Sequence, residues 1–141
     1  MHGRTIFARL IFNMKKLSPA AHGVVDYLTV LLLFISPTLF KMETAGSALS
    51  YALAIVHLVL TLLTDFPGGA LKVIPLRIHG LIELIVSIGL LAVAISFRSL
   101  GYSVSFYFYF IFSVILFVVW IASEYRMSIK AASVEKPTIL R

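Results

Sequence analysis

The chain has 141 residues, of which 60% are hydrophobic and 13% charged, with a mean hydropathy of +1.03. A water-soluble domain carries about 45–50% apolar and 25% charged residues, so this composition excludes an ordinary soluble fold. There is no cysteine, which excludes a disulfide, a thiolate metal site and a cysteine nucleophile.

Residues 1–17 form a basic segment carrying Arg4, Arg9, Lys15 and Lys16 and no acid. Met14-Lys15-Lys16 reads as a natural start, which would make residues 1–13 an extension able to lie in the membrane interface. A signal peptide over 14–36 is the rival reading. It is rejected because His22 and Asp26 would interrupt the apolar region and the cleavage signal near Ala45 is poor.

The first helix is expected over 19–40, opened by Ser18 as a capping hydroxyl and Pro19 at the first helical position. The second is expected over 46–65, stopped by Asp65-Phe66-Pro67-Gly68-Gly69. A basic loop leads to a third helix over 76–97, and a fourth follows over 103–123. Each is long enough to cross a bilayer core of about 30 Å. Residues 126–141 read as a basic tail. The expected fold is all-α: a transmembrane domain over 18–125, built as a four-helix bundle.

Two features give that bundle its expected geometry. His22-Gly23-Val24-Val25-Asp26 in the first helix returns as His79-Gly80-Leu81-Ile82-Glu83 in the third. Of twelve lysines and arginines, only Lys41 and Arg98 fall outside the two termini and the middle loop. The positive-inside rule therefore puts both termini in the cytoplasm. The two halves become parallel two-helix repeats. The net charge of +6 is then accounted for at membrane edges, where it meets anionic lipid, and no nucleic-acid partner is expected.

Polar residues recur at helical spacing and are expected to face the bundle interior. Gly46, Ser50 and Ala54 read as a packing seam, within the chain or between copies in a homo-oligomer. Trp120 and Tyr125 read as interfacial aromatics. His22, Asp26, His57, Asp65, His79, Glu83 and Glu124 form the candidate site. All but His57 should lie near the cytoplasmic ends, with His57 about 12 Å deeper than Asp65. Asp65 should have a cationic or histidine partner, because a carboxylate at a helix C-terminus opposes the macrodipole.

Three readings compete. The leading one is a structural network in which each imidazole pairs with a carboxylate and fixes helix register. The second is a proton- or cation-linked transport or sensing path, with His57 as the deeper station. The third is a metal site at His22 and His79 with Asp65, Asp26 or Glu83, whose ligand types suit zinc, iron or manganese. The sequence lacks a nucleophile triad, a phosphate loop and a dinucleotide fingerprint. Neither an enzyme nor a cofactor is expected, and any substrate or ion is left unidentified.

The first helix closes on Ile35-Ser36-Pro37-Thr38-Leu39-Phe40, after the His-Gly-x-x-acid start that the third helix repeats. Over roughly 18–125 this architecture resembles the SPW-repeat integral membrane proteins of bacteria. Thr38 stands where those have tryptophan, and the second copy, residues 94–97, lacks Ser-Pro. The resemblance implies a multi-pass protein of the bacterial inner membrane and lends it no activity.

Overall fold

Ser18 caps the first helix. In the computed structural model, which describes residues 17–125, its hydroxyl accepts from the backbone N–H of Ala21 at 3.3 Å, and helix α1 runs Pro19–Phe40. Proline costs nothing at this position, because its missing N–H would have no helical partner. The basic segment expected before Leu17 and the tail over 126–141 lie outside the described residues.

Pro37, near the other end of α1, has a structural consequence. Without an N–H it leaves the carbonyl of Leu33 without its helical donor. The Ser50 hydroxyl of the next helix donates to that carbonyl at 2.8 Å, and Ser36 Oγ lies 3.2 Å from the same oxygen and 2.9 Å from Ser50 Oγ. Ser36-Pro37 and Ser50 thus form one buried junction between two helices. Lys41 then turns the chain in the left-handed region, with φ of 51°.

Helix α2 is Thr44–Leu63, α3 Leu76–Ser99 and α4 Ser103–Ala122. Together with α1 these are four helices long and apolar enough to cross a membrane, which suggests a multi-pass membrane protein. Their outward faces are apolar, with Leu28, Val56, Ile85, Ile88 and Ile121 all exposed, while the buried positions include histidines, acids and hydroxyls. Lipid demands this inverted arrangement, since an exposed polar group would find no partner there.

Helix α1 packs along α2, and α3 along α4. The two hairpins meet at both ends. At one end Gly46 lets α2 approach α4, where a Cβ would collide with the Ser105 hydroxyl. Tyr109 donates to the Gly46 carbonyl at 2.7 Å, and Ala54 is fully buried. The seam of Gly46, Ser50 and Ala54 is therefore used within the chain. Glu43 reinforces the same end. Its carboxylate accepts from the N–H groups of Val104 and Ser105 at 3.2 and 3.0 Å and from the Ser105 hydroxyl, capping the otherwise orphaned start of α4. Partial burial works to raise its pKa, but these hydrogen bonds outweigh it and hold the carboxyl below its ordinary value.

At the other end the structure departs from the expected boundaries. Helix α2 stops at Leu63, not 65. The carbonyls of Leu62 and Leu63 are taken by the N–H groups of Ala70, Leu71 and Val73, which releases Thr64 and Asp65 into an extended strand, β1. This pairs in parallel with β2, Ile74–Pro75, immediately before α3. Leu17, just before α1, pairs in the same sense with Ser123, just after α4. Helices α1 and α3 are thus each entered from a backbone segment bonded to the exit of α4 and α2, respectively.

Candidate metal centre

His22 and Asp26 lie one turn apart on α1, and His79 and Glu83 one turn apart on α3. The bundle brings all four together. The rings of His22 and His79 meet edge to face with centroids 5.3 Å apart. His22 Nε2 is 3.5 Å from Asp26 Oδ1 and 3.5 Å from Glu83 Oε2. His79 Nε2 is 3.4 Å from Asp26 Oδ2 and 3.7 Å from Glu83 Oε1. Each imidazole nitrogen therefore sits between two carboxylates, one from its own helix and one from the other hairpin. All four side chains are buried, with at most 2% of each exposed.

The other imidazole nitrogens define the protonation. His79 Nδ1 is 2.8 Å from Thr64 Oγ1, and His22 Nδ1 is 2.8 Å from Ser123 Oγ. Each hydroxyl has one proton, and each donates it to a carbonyl one turn back: Thr64 to Leu60 at 2.7 Å, Ser123 to Val119 at 2.6 Å. The hydroxyls can then only accept from the rings, so the hydrogen-bond network assigns the proton to Nδ1 of both histidines. With Nδ1 engaged in this way, Nε2 of each ring faces the carboxylates and is the nitrogen left to bind a ligand.

None of the Nε2–carboxylate contacts is a close charge-assisted hydrogen bond, which would span about 2.7–2.9 Å. The separations here are 3.4–3.7 Å. Nε2 of both histidines, Asp26 Oδ2 and Glu83 Oε1 are buried without a hydrogen-bond partner. Four such groups offer one ligand atom each, all within 4.8 Å of one another. Ligands about 2.0–2.1 Å from a tetrahedral metal stand roughly 3.3–3.4 Å apart, close to these spacings. Two carboxylates also supply the charge that one divalent cation would balance, and among the described residues no lysine or arginine pairs with either.

The remaining candidates fall differently. His57 is not a separate deeper station: its Nε2 lies 3.7 Å from Asp26 Oδ1 and its ring 6.0 Å from that of His79. Asp26 and Glu83 lie seven residues into their helices, and His57 six residues before the end of α2, so all three reach about the same depth. Asp65 does not join the cluster, and among the described residues it forms no ion pair. Successive strand residues point to opposite sides, so burying Thr64 against His79 turns Asp65 away. Glu124 is likewise outside the cluster and contributes its backbone N–H to Leu17 at 3.0 Å.

Tyr125 is not merely an interfacial aromatic. Its hydroxyl donates to Glu83 Oε2 at 2.8 Å, and its ring lies edge-on to His22 with centroids 5.7 Å apart. Burial and then the Glu83 carboxylate push the phenol above its ordinary pKa, so it stays a donor. It covers Gly80, where a Cβ would enter its ring, and Phe66 covers Gly23 in the same way. The glycine after each histidine is therefore the seat of an aromatic cap. Thr64-Asp65-Phe66 and Ser123-Glu124-Tyr125 form a second duplicated signal of hydroxyl, acid and aromatic. In each, the hydroxyl anchors the histidine of the other hairpin and the aromatic covers the glycine of its own.

No family model matches the chain, and no curated protein or solved structure matches it either.

Proposed function

We propose that this chain is a multi-pass membrane protein that binds one divalent first-row transition ion through His22, Asp26, His79 and Glu83. The observation that carries this reading is the convergence of orphaned, buried donor atoms whose histidines have their other nitrogens pinned by Thr64 and Ser123. A hydrogen bond to the far nitrogen of a ligating imidazole fixes its tautomer and orientation, as metal sites require. Two imidazoles and two carboxylates suit zinc, iron or manganese. A purely structural network is less well supported, because such a network satisfies its own buried polar atoms.

The lysine and arginine distribution supports a bundle with both termini cytoplasmic, made of two parallel two-helix repeats. The metal centre then lies in the cytoplasmic half of the bundle. Ser36-Pro37 and the duplicated histidine motif support kinship with the SPW-repeat proteins and a place in a bacterial inner membrane. Reporter fusions should read both termini as cytoplasmic, and an external reading of either would overturn the orientation.

The binding reading is tested by elemental analysis of purified protein after exposure to zinc, iron and manganese in turn. One equivalent of bound metal per chain is expected for at least one of them. Less than about a tenth of an equivalent with all three would end the proposal.

A further inference from the structure

Each carboxylate of the cluster has one oxygen free and one oxygen facing a donor. Asp26 Oδ2 and Glu83 Oε1 are buried without a hydrogen-bond partner. Glu83 Oε2 accepts from the Tyr125 hydroxyl at 2.8 Å, and Asp26 Oδ1 faces His57 Nε2 at 3.7 Å. The second contact is too long for a hydrogen bond. His57 Nε2 is nevertheless buried and unpartnered, and among the described residues Asp26 is the acid it faces. The ring proton therefore belongs on Nε2, and a short movement toward Oδ1 satisfies it. His57 stands outside the four residues whose ligand atoms lie within 4.8 Å of one another, and the Tyr125 proton is engaged by Glu83. Each donor comes from the second half of its acid's own hairpin: His57 on α2 for Asp26 of α1, Tyr125 just after α4 for Glu83 of α3. The two repeats thus fill one role with different side chains.

Resting on the metal reading above, we infer that His57 and Tyr125 hold both carboxylates monodentate, which limits the centre to four ligands and makes it select zinc over manganese. A carboxylate can give a metal one oxygen or two. With Asp26 Oδ1 and Glu83 Oε2 hydrogen-bonded, Oδ2 and Oε1 are the oxygens left. Together with Nε2 of His22 and of His79 they make four donors. Zinc takes four nitrogen and oxygen ligands in a tetrahedron, whereas manganese suits an octahedron of oxygens. Neither His57 nor Tyr125 is a ligand. Both are positioning residues that act through the carboxylates they hold.

Cobalt(II) provides the test, because its visible absorption is far stronger in a tetrahedron than with five or six ligands. The full-length protein in detergent is loaded with cobalt, its cobalt content is measured and its spectrum recorded. Zinc and manganese affinities are then measured by competition. The expected result is one cobalt per chain with strong tetrahedral bands. His57→Leu and Tyr125→Phe should each keep the cobalt, lose band intensity, and lower the ratio of zinc to manganese affinity at least about tenfold, the size of effect that outer partners have. The change in ratio is the readout, because sites of this ligand type generally bind zinc more tightly than manganese. His57→Gln, which keeps an N–H near the place of Nε2, should restore both. Bound cobalt with the weak bands of five or six ligands in the wild-type protein would overturn this inference and leave the metal centre standing. A spectrum and ratio unchanged in both variants, or a glutamine variant no better than the leucine one, would overturn the role assigned to these donors. No cobalt in the wild-type protein would overturn the metal reading itself.

Discussion

Asp26→Asn should abolish metal binding and, in the metal-free protein, raise the melting temperature. The two effects have one origin. Asp26 and Glu83 offer oxygens within 4.8 Å of each other in a buried site. At an effective dielectric of about 20, two charges at that separation repel by about 3 kcal/mol. Neutralising one of them removes this repulsion. The amide NH₂ that replaces Oδ1 or Oδ2 gains a reason to approach an Nε2 lone pair, now 3.5 or 3.4 Å away. Satisfying a buried acceptor is worth about 1–3 kcal/mol, so the apoprotein should gain on the order of 1–2 kcal/mol, a rise of several degrees. With metal the order reverses. Wild-type protein gains about 4 kcal/mol at a free metal concentration a thousandfold above Kd, and the variant gains nothing. Thermal unfolding in detergent, with chelator and then with metal, reads both. If the cluster were a closed structural network, Asp26→Asn would lower the melting temperature under both conditions.

The second large effect belongs to residues that would never touch the metal. Thr64→Val and Ser123→Ala remove the acceptors for the Nδ1 protons of His79 and His22. Valine keeps the shape of threonine, so packing against α3 survives. The ring loses its tautomer preference and its aim, and outer partners of this kind are worth about 10–100-fold in metal affinity. Each variant should therefore weaken binding by that factor while retaining one metal per chain at saturation. The double variant should fall below each single one. Competition against a calibrated chelator measures this. Affinity unchanged by either substitution would mean that the histidines are not held by these hydroxyls.

Why the sequence shows the histidines and not their anchors can be read from the repeat. His22–Asp26 and His79–Glu83 stand out because ionisable residues are rare in apolar helices and because the copies share one spacing. The four helices are legible for the same reason, since nothing but lipid tolerates such long apolar stretches. Thr64 and Ser123 are hidden by register: the second hairpin is two residues longer between its histidine and its hydroxyl, so aligning the histidines sets Asp65 against Ala122. Matched instead on their own pattern, Thr64-Asp65-Phe66 and Ser123-Glu124-Tyr125 would have pointed to both hydroxyls and to Tyr125. The early end of α2 was equally hidden. Pro67 and Gly68 mark the region as a breaker, but the release of Thr64 depends on the loop's N–H groups folding back onto Leu62 and Leu63. That is a tertiary fact, and it is also what turns Asp65 away from the site that a helix ending at residue 65 would have given it. The depth of His57 is the opposite case. Counting residues inward from each helix end places it level with Asp26 and Glu83, once α2 is known to end at Leu63.

The binding reading depends on one claim: that His22, Asp26, His79 and Glu83 close around a single cation. X-ray absorption at the edge of the bound metal tests it most directly. Two imidazole nitrogens and carboxylate oxygens are expected to bind the metal, all at about 2.0–2.2 Å. Either His22→Ala or His79→Ala should lose one imidazole from the spectrum. A shell of water oxygens alone, or one unchanged by both substitutions, would contradict it.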